Sequence, residues 1–193
     1  MRKVLLVPPV AAVVIAALVV YRLNRPEPVR TQTTLPPVVA RPMPLFQLYD
    51  EQSQLVRVQR YVGRHKMLLV FFDSSKGPDQ SELLLSLRKD FLAIHNAGAI
   101  VLAIAAVRPS ELRPAPNDRG GRVERAEPFP FTLLAVFPVA EVHRQFGAWD
   151  DATDEPKEAV VIVDRAGIIR MIHSAGEGLG TPAEWAAELR SVR

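Results

Sequence analysis

Between Asp73 and Gln80 the chain reads DSSKGPDQ, which places two hydroxyls, an ammonium and two carboxylates within eight positions. A nucleophilic serine would need the sharp G-x-S-x-G elbow, and no such frame surrounds Ser74 or Ser75, so both read as turn residues. Lys76 and Asp79 are the types used in acid/base transfer, provided their surroundings shift their pKa values. Elsewhere the candidates thin out. His65, His95, His143 and His173 fall on four separate elements, none at i, i+4, so they make no metal site. Asp150, Asp151, Asp154 and Glu155 lack the alternating ligands and turn glycine of a calcium loop and read as a solvated acidic loop. Gly176-Glu-Gly-Leu-Gly180 lacks both the G-x-G-x-x-G spacing and the lysine of a phosphate loop, and Glu177 would repel phosphate. The 193 residues contain no cysteine, which excludes disulfides, thiol redox chemistry, thiolate metal sites and a lipidated cysteine anchor. No cofactor and no metal is expected.

The elements around this stretch are plain. Met67 to Phe72 and Ala99 to Val107 are unbroken apolar runs of strand length, as in inner strands covered on both faces. Between them Asp79 and Glu82 have capping-box spacing after Pro78, Leu84, Leu87, Phe91 and Ile94 mark one helical face, and Asn96 and Gly98 supply a stop. This is a β-α-β unit, and its first turn, Ser74 to Gln80, belongs at the carboxyl end of the sheet. Leu45 to Asp50 and Leu55 to Val58 alternate as a hairpin. Arg108 to Glu127, rich in proline, glycine and charge, reads as a long disordered loop. Phe129 to Phe137 restores a strand, and Val139 to Trp149 a short helix burying Val142 and Phe146. Ala159 to Val163 and Ile168 to Ile172 form a hairpin. Thr181-Pro-Ala-Glu184 opens a last helix, whose Trp185, Leu189 and Val192 pack on the sheet.

The strand ending in Phe71-Phe72, the Gly77-Pro78 turn and AGAIVLAI at 97–104 resemble the peroxiredoxin (alkyl hydroperoxide reductase/thiol-specific antioxidant) branch of the thioredoxin-like superfamily. PFPFTLLAVFPVAEVHRQFGAW at 128–149 and VVIVDRAGIIRMIH at 160–173 extend the resemblance over roughly Pro44 to Arg193. It implies an α/β fold with a thioredoxin-like, peroxiredoxin-type mixed sheet flanked by helices. In that family a Thr-x-x-Cys turn carries the peroxide-reactive thiol; Gly77, Pro78, Asp79 and Gln80 stand at the matching positions here. Against the thioredoxin Cys-Gly-Pro-Cys turn, Lys76 to Asp79 stand in its place. Neither register supplies a sulfur. The family also sets an arginine just before the strand that reads VVIVD, where this chain has Glu158. The resemblance thus implies a cysteine-less member with a vestigial site at Gly77, Pro78, Gln80 and Glu158 and no catalytic residue of the family's kind.

Val4 to Tyr21 is an uncharged run of 18 residues; as a helix it rises about 27 Å, close to the roughly 30 Å hydrocarbon core. The large residues at its end argue against signal cleavage, so residues 1–22 read as an uncleaved signal anchor, a single transmembrane helix preceding the domain. Six prolines from Pro26 to Pro44 make 23–44 an extended spacer, with the domain at 45–193. Residues 22–66 carry eight Lys/Arg against three acids, and 67–193 fourteen against eighteen. The basic excess therefore sits beside the membrane, which accounts for the high pI without nucleic acid. The short amino-terminal flank places the body outside the cytoplasm. The sequence supports a membrane-tethered, non-catalytic binding or scaffold module with an unknown protein partner. The alternatives are an assembly or transporter accessory protein, or an enzyme using Lys76, Asp79 and Glu158 for non-thiol acid/base chemistry.

Overall fold

The computed structural model describes residues 38–75, 77–114, 125, 127–136 and 140–192. The apolar runs become neighbouring parallel strands, β4 (Lys66–Phe71) and β5 (Ala99–Ala105), paired in register from Lys66↔Ala99 to Phe71↔Ile104. The amino-terminal residues supply β1 (Val38–Pro42) and the hairpin β2 (Gln47–Asp50) and β3 (Leu55–Arg57). β6 (Thr132–Ala135) follows β5, and the two-residue strands β7 (Trp149–Asp150) and β8 (Glu155–Pro156) pair with each other. The closing hairpin is β9 (Ala159–Val163) and β10 (Ile168–Ser174). The eight-stranded mixed sheet runs β1-β10-β9-β4-β5-β6-β2-β3.

Strand β4 is buried along its whole length, and its side chains divide between two cores. Leu68 and Val70 face helices α1 (Glu82–Lys89), α2 (Phe91–Asn96) and α4 (Pro182–Ser191), meeting Leu84, Leu87, Ile94, Trp185 and Leu189. Met67, Leu69 and Phe71 face α3 (Glu141–Phe146) and meet Phe46, Val58 and Phe146. Lys66, first in the strand, is buried too; its ammonium donates to the Leu189 carbonyl at 2.6 Å, in the last turn of α4 where the helix dipole favours a cation. The Thr181/Glu184 capping box forms as the sequence predicts, through Thr181 N–H to Glu184 Oε2 (2.7 Å) and Glu184 N–H to Thr181 Oγ1 (3.3 Å).

Four expectations are corrected. The spacer gives way at Val38 to β1, which pairs antiparallel with β10 (Arg41↔Ile169, Pro42↔Ile168), so the domain takes in residues ahead of Leu45. β1 is irregular, with a register shift between Val38 and Arg41 and a proline at its end. The capping box at Asp79 and Glu82 does not form: Pro78–Gln80 is a short 3₁₀ helix, and α1 is capped by Ser81, whose Oγ accepts the Leu84 N–H (3.4 Å). The single helix predicted after it is two, broken at Asp90, whose backbone (φ −104°, ψ 15°) leaves the helical region without a side-chain cap. Within 108–127, Pro109–Leu112 is a 3₁₀ turn with Leu112 fully buried, and residues 115–124 lie outside the described residues. So does the whole predicted anchor, 1–22; no described helix is long and apolar enough to cross a membrane.

His143, on α3, has no accessible surface and no hydrogen-bond partner for either ring nitrogen among the described residues. It packs edge-on against Phe71 (5.1 Å between centroids) and Trp149 (6.1 Å). Desolvation penalises the imidazolium and lowers the His143 pKa from 6.5 to about 4. The unfolded chain therefore takes up this proton near pH 6.5 while the folded chain resists it to about pH 4. Its stabilisation is complete above pH 6.5 and is lost across that window, by about 3 kcal/mol. Urea midpoints measured from pH 7.5 to 4 should fall steeply in the natural protein and less in His143→Phe; equal slopes would show that His143 is not the titrating group.

Candidate functional site

Where β4 ends, the chain turns out of the sheet. The Asp73 carboxylate accepts the Ser75 N–H (2.8 Å) and hydroxyl (2.9 Å), so Ser75 serves the turn, as its sequence suggests. Gly77 then adopts φ +80°, a conformation costly for any residue with a Cβ, and Pro78 begins the 3₁₀ helix. Pro78 is buried, Gly77 half-buried, and Asp79 and Gln80 exposed. Gln80 lies one residue before the cap of α1 and thus outside its first turn. Glu158 precedes β9, whose first residue, Ala159, is opposite Phe71, so it stands at the same end of β4 as this turn. Its carbonyl accepts the Ala175 N–H (3.1 Å). Among the described residues, neither Gln80 nor Glu158 makes a side-chain hydrogen bond or ion pair. Lys76 lies outside the described residues.

The polar centre here is Arg125, which the sequence did not mark. Its guanidinium bonds Asp79 Oδ1 through Nε (2.6 Å), Glu51 Oε2 through Nη1 (2.9 Å) and the Leu112 carbonyl through Nη2 (2.7 Å). It also lies 4.9 Å from the centroid of Phe129, whose ring Arg88 approaches at 5.3 Å. One side chain thus ties the β2–β3 turn, the turn after β4 and the segment after β5. The Arg125 side chain is 9% exposed. Burial works against its charge, but hydrogen bonds and Coulombic attraction from Asp79 and Glu51 outweigh this and raise its pKa. Arg113 reinforces the same turn, donating to the Glu51 carbonyl and to Ser53 Oγ (3.2 Å). The Arg125 bonds to Asp79 and Glu51 span 46 and 74 residues of sequence, so no local pattern announces them.

Four of the other polar groups singled out in the sequence, Asp150, Asp151, Asp154 and His173, make structural contacts. Asp151 and Asp154 pair with Arg144 (3.2 and 3.1 Å), and Asp150 pairs with Lys157 (2.9 Å) beside the β7–β8 hairpin. His173 bonds Glu188 at 2.8 Å, joining β10 to α4. Among the described residues no group of three His, Asp or Glu is placed to hold a metal ion. As chemistry, the turn offers little: Gln80 is neither acid nor nucleophile, and the Asp79 carboxylate is committed to a guanidinium. The Arg125 bonds instead fix the turn in place. Arg125→Met should lower stability by about 1 kcal/mol, because the Leu112 carbonyl loses its partner while the partly exposed Asp79 and Glu51 carboxylates can turn to water. It should also speed amide exchange at residues 77–81, with Arg125→Lys in between because one ammonium cannot make the forked contact. Unchanged exchange in Arg125→Met would remove its role as a tie.

Comparison with known proteins agrees with this architecture. The sequence profile of the AhpC/TSA family matches residues 39–172. The alkyl hydroperoxide reductase E proteins of Mycobacterium tuberculosis and Mycobacterium bovis are 32% identical over 129 residues, which is 66% of this chain and 78% of theirs. The fold is similar to peroxidoxin BcpB of Mycobacterium tuberculosis, with TM-score 0.63 and 18% identity over 81% of this chain and 98% of that one. It is also similar to the reduced 2-Cys peroxiredoxin of Plasmodium vivax, with TM-score 0.63 and 16% identity over 80% and 96%. With a matching sequence profile, a matching sheet and no sulfur where the thiol would stand, the chain belongs to the AhpC/TSA family of peroxiredoxins as a cysteine-less member.

Proposed function

We propose that this protein is a non-catalytic, membrane-tethered peroxiredoxin-like domain that serves as a binding or scaffold module. The observation that carries the reading is the absence of cysteine from all 193 residues. Peroxide reduction in such a fold begins with a thiolate attacking the peroxide oxygen and ending as a sulfenic acid, and Gln80 can neither ionise nor enter that oxidation series. The surroundings of position 80 agree. Glu158 brings a negative charge where the resemblance implies a positive one, and the guanidinium beside the turn, that of Arg125, is paired with Asp79 and Glu51. Val4 to Tyr21, uncharged and long enough for the hydrocarbon core, supports the tether, and the arginines after it suit anionic head groups. On this reading the body lies outside the cytoplasm, so protease added to intact cells should remove it; protection until lysis would reverse the topology.

Restoring the sulfur tests the assignment of the vestigial site. Gln80→Cys should react slowly with hydrogen peroxide, since Glu158 raises the thiol pKa. Gln80→Cys with Glu158→Arg should have a lower thiol pKa and react faster. Adding Gly77→Thr, which the family motif alone would favour, should not help: φ +80° is strained for a β-branched residue. Stopped-flow rates read the order. A natural protein that consumes peroxide would overturn the non-catalytic reading, and a Glu158→Arg change without effect would displace the site from this turn.

A further inference from the structure

Strand β5 runs ahead of its neighbour. Thr132, the first residue of β6, stands opposite Leu102, so Ala99, Ile100 and Val101 have β4 on one side and no strand on the other among the described residues. Beside this gap lies a cavity of about 350 Å³, at the end of β5 remote from the turn after β4. Besides these three residues it is lined by Tyr61, by Phe91 and His95 of α2, and by Phe131 and Thr132. The rings form a series. His95 lies 5.8 Å from Phe91 between centroids, tilted by 31°, and Phe91 lies 6.1 Å from Phe131, tilted by 39°. Three polar groups around them are unspent: the Tyr61 hydroxyl, the His95 imidazole and the Thr132 hydroxyl make no hydrogen bond or ion pair among the described residues. No Lys, Arg, Asp or Glu is among the residues that line the cavity.

We propose that this cavity is a binding site for a small, uncharged heteroaromatic lactam, a planar ring whose edge carries an N–H donor beside a C=O acceptor. Each part of the lining selects one property. In a strand the N–H and C=O of one residue point to the same side, so the unpartnered margin of β5 presents a donor and an acceptor together, and a cyclic amide answers both at once. The rings of His95, Phe91 and Phe131 favour a flat aromatic face over a saturated one. A lining without Lys, Arg, Asp or Glu disfavours a carboxylate or an ammonium, which would lose hydration and find no counter-ion. The volume lies near the lower end of the ~300–1,000 Å³ usual for small-molecule sites and suits one or two fused rings. A larger hollow, about 560 Å³ beside Arg88, lacks the unspent polar groups, because its Arg88 and Glu127 pair with each other at 3.0 Å. The proposal goes beyond the binding-module reading and stands without it, since neither the tether nor the missing thiol enters.

The test titrates the full isotope-labelled chain, kept in solution with a mild non-ionic detergent, with oxindole and follows the backbone amides by NMR. Oxindole should shift the signals of residues 99–101 and 131–132, and the shifts should saturate. Two analogues separate the parts of the recognition without any change to the protein. N-methyloxindole lacks the donor and octahydroindol-2-one lacks the flat ring, and each should bind more weakly by about tenfold or more. Phe131→Ala should weaken oxindole to a similar degree, with its spectrum away from the cavity reporting that the fold is kept; should that variant fail to fold, the two analogues still decide. Shifts that never saturate, that arise alike with all three compounds, or that fall on other residues would overturn the proposal. So would equal affinity for oxindole and either analogue, or undiminished binding by a folded Phe131→Ala. Those outcomes leave the non-catalytic reading standing, since that reading falls instead on peroxide consumption by the natural protein.

Discussion

From Lys66 to Phe71 six consecutive side chains are withdrawn from water, alternately toward one face of the sheet and the other, so neither face can be left to solvent. Each large apolar side chain buried there contributes about 1.5–3 kcal/mol, and only a layer of structure on both sides secures it. Helices α1, α2 and α4 supply one layer; α3 and the segments around Phe46 and Val58 supply the other. The positions that matter for chemistry inherit their location from this arrangement. A strand that must stay buried to its last residue can turn outward only beyond Phe71, and the family's reactive turn begins there.

With the thiol gone, the turn is held by different means. An active thiol needs an open, electropositive pocket, whereas here the guanidinium of Arg125, in contact with the turn, is engaged by two carboxylates and a carbonyl. In this cysteine-less chain the turn is thus tied into the fold by ion pairs and hydrogen bonds. Arg125 joins the β2–β3 turn, the turn after β4 and the segment after β5. Gly77 adopts a conformation that few other residues would accept, which fixes the shape of the turn independently of any chemistry there.

Much of this was legible in the sequence where the physics is local. The buried strands announced themselves as apolar runs, and the Thr181/Glu184 box spans only three residues, so its partners are visible together. The missing thiol was decided by composition alone. What stayed hidden depends on partners distant in sequence. Val38 to Pro42 is surrounded by prolines and looks like spacer, because nothing nearby reveals that β10 waits some 130 positions later. Arg125 was one basic residue among several in a segment that read as structureless, and only its distance to Asp79 and Glu51 sets it apart. At Asp79 the sequence misled for a third reason. Two caps were available, and the 3₁₀ turn opened by Pro78 gave the position to Ser81.

The two margins of the sheet are unequal. β3 pairs regularly with β2 and has no other strand partner among the described residues, while β1 carries a register break between Val38 and Arg41 and ends in a proline that has no N–H to donate. A sheet with two sound margins can stack copy upon copy without limit, head of one to tail of the next. This one has a single sound margin, so any growth stops after one addition. The irregularity of β1 thus works against edge-to-edge stacking of copies at that margin.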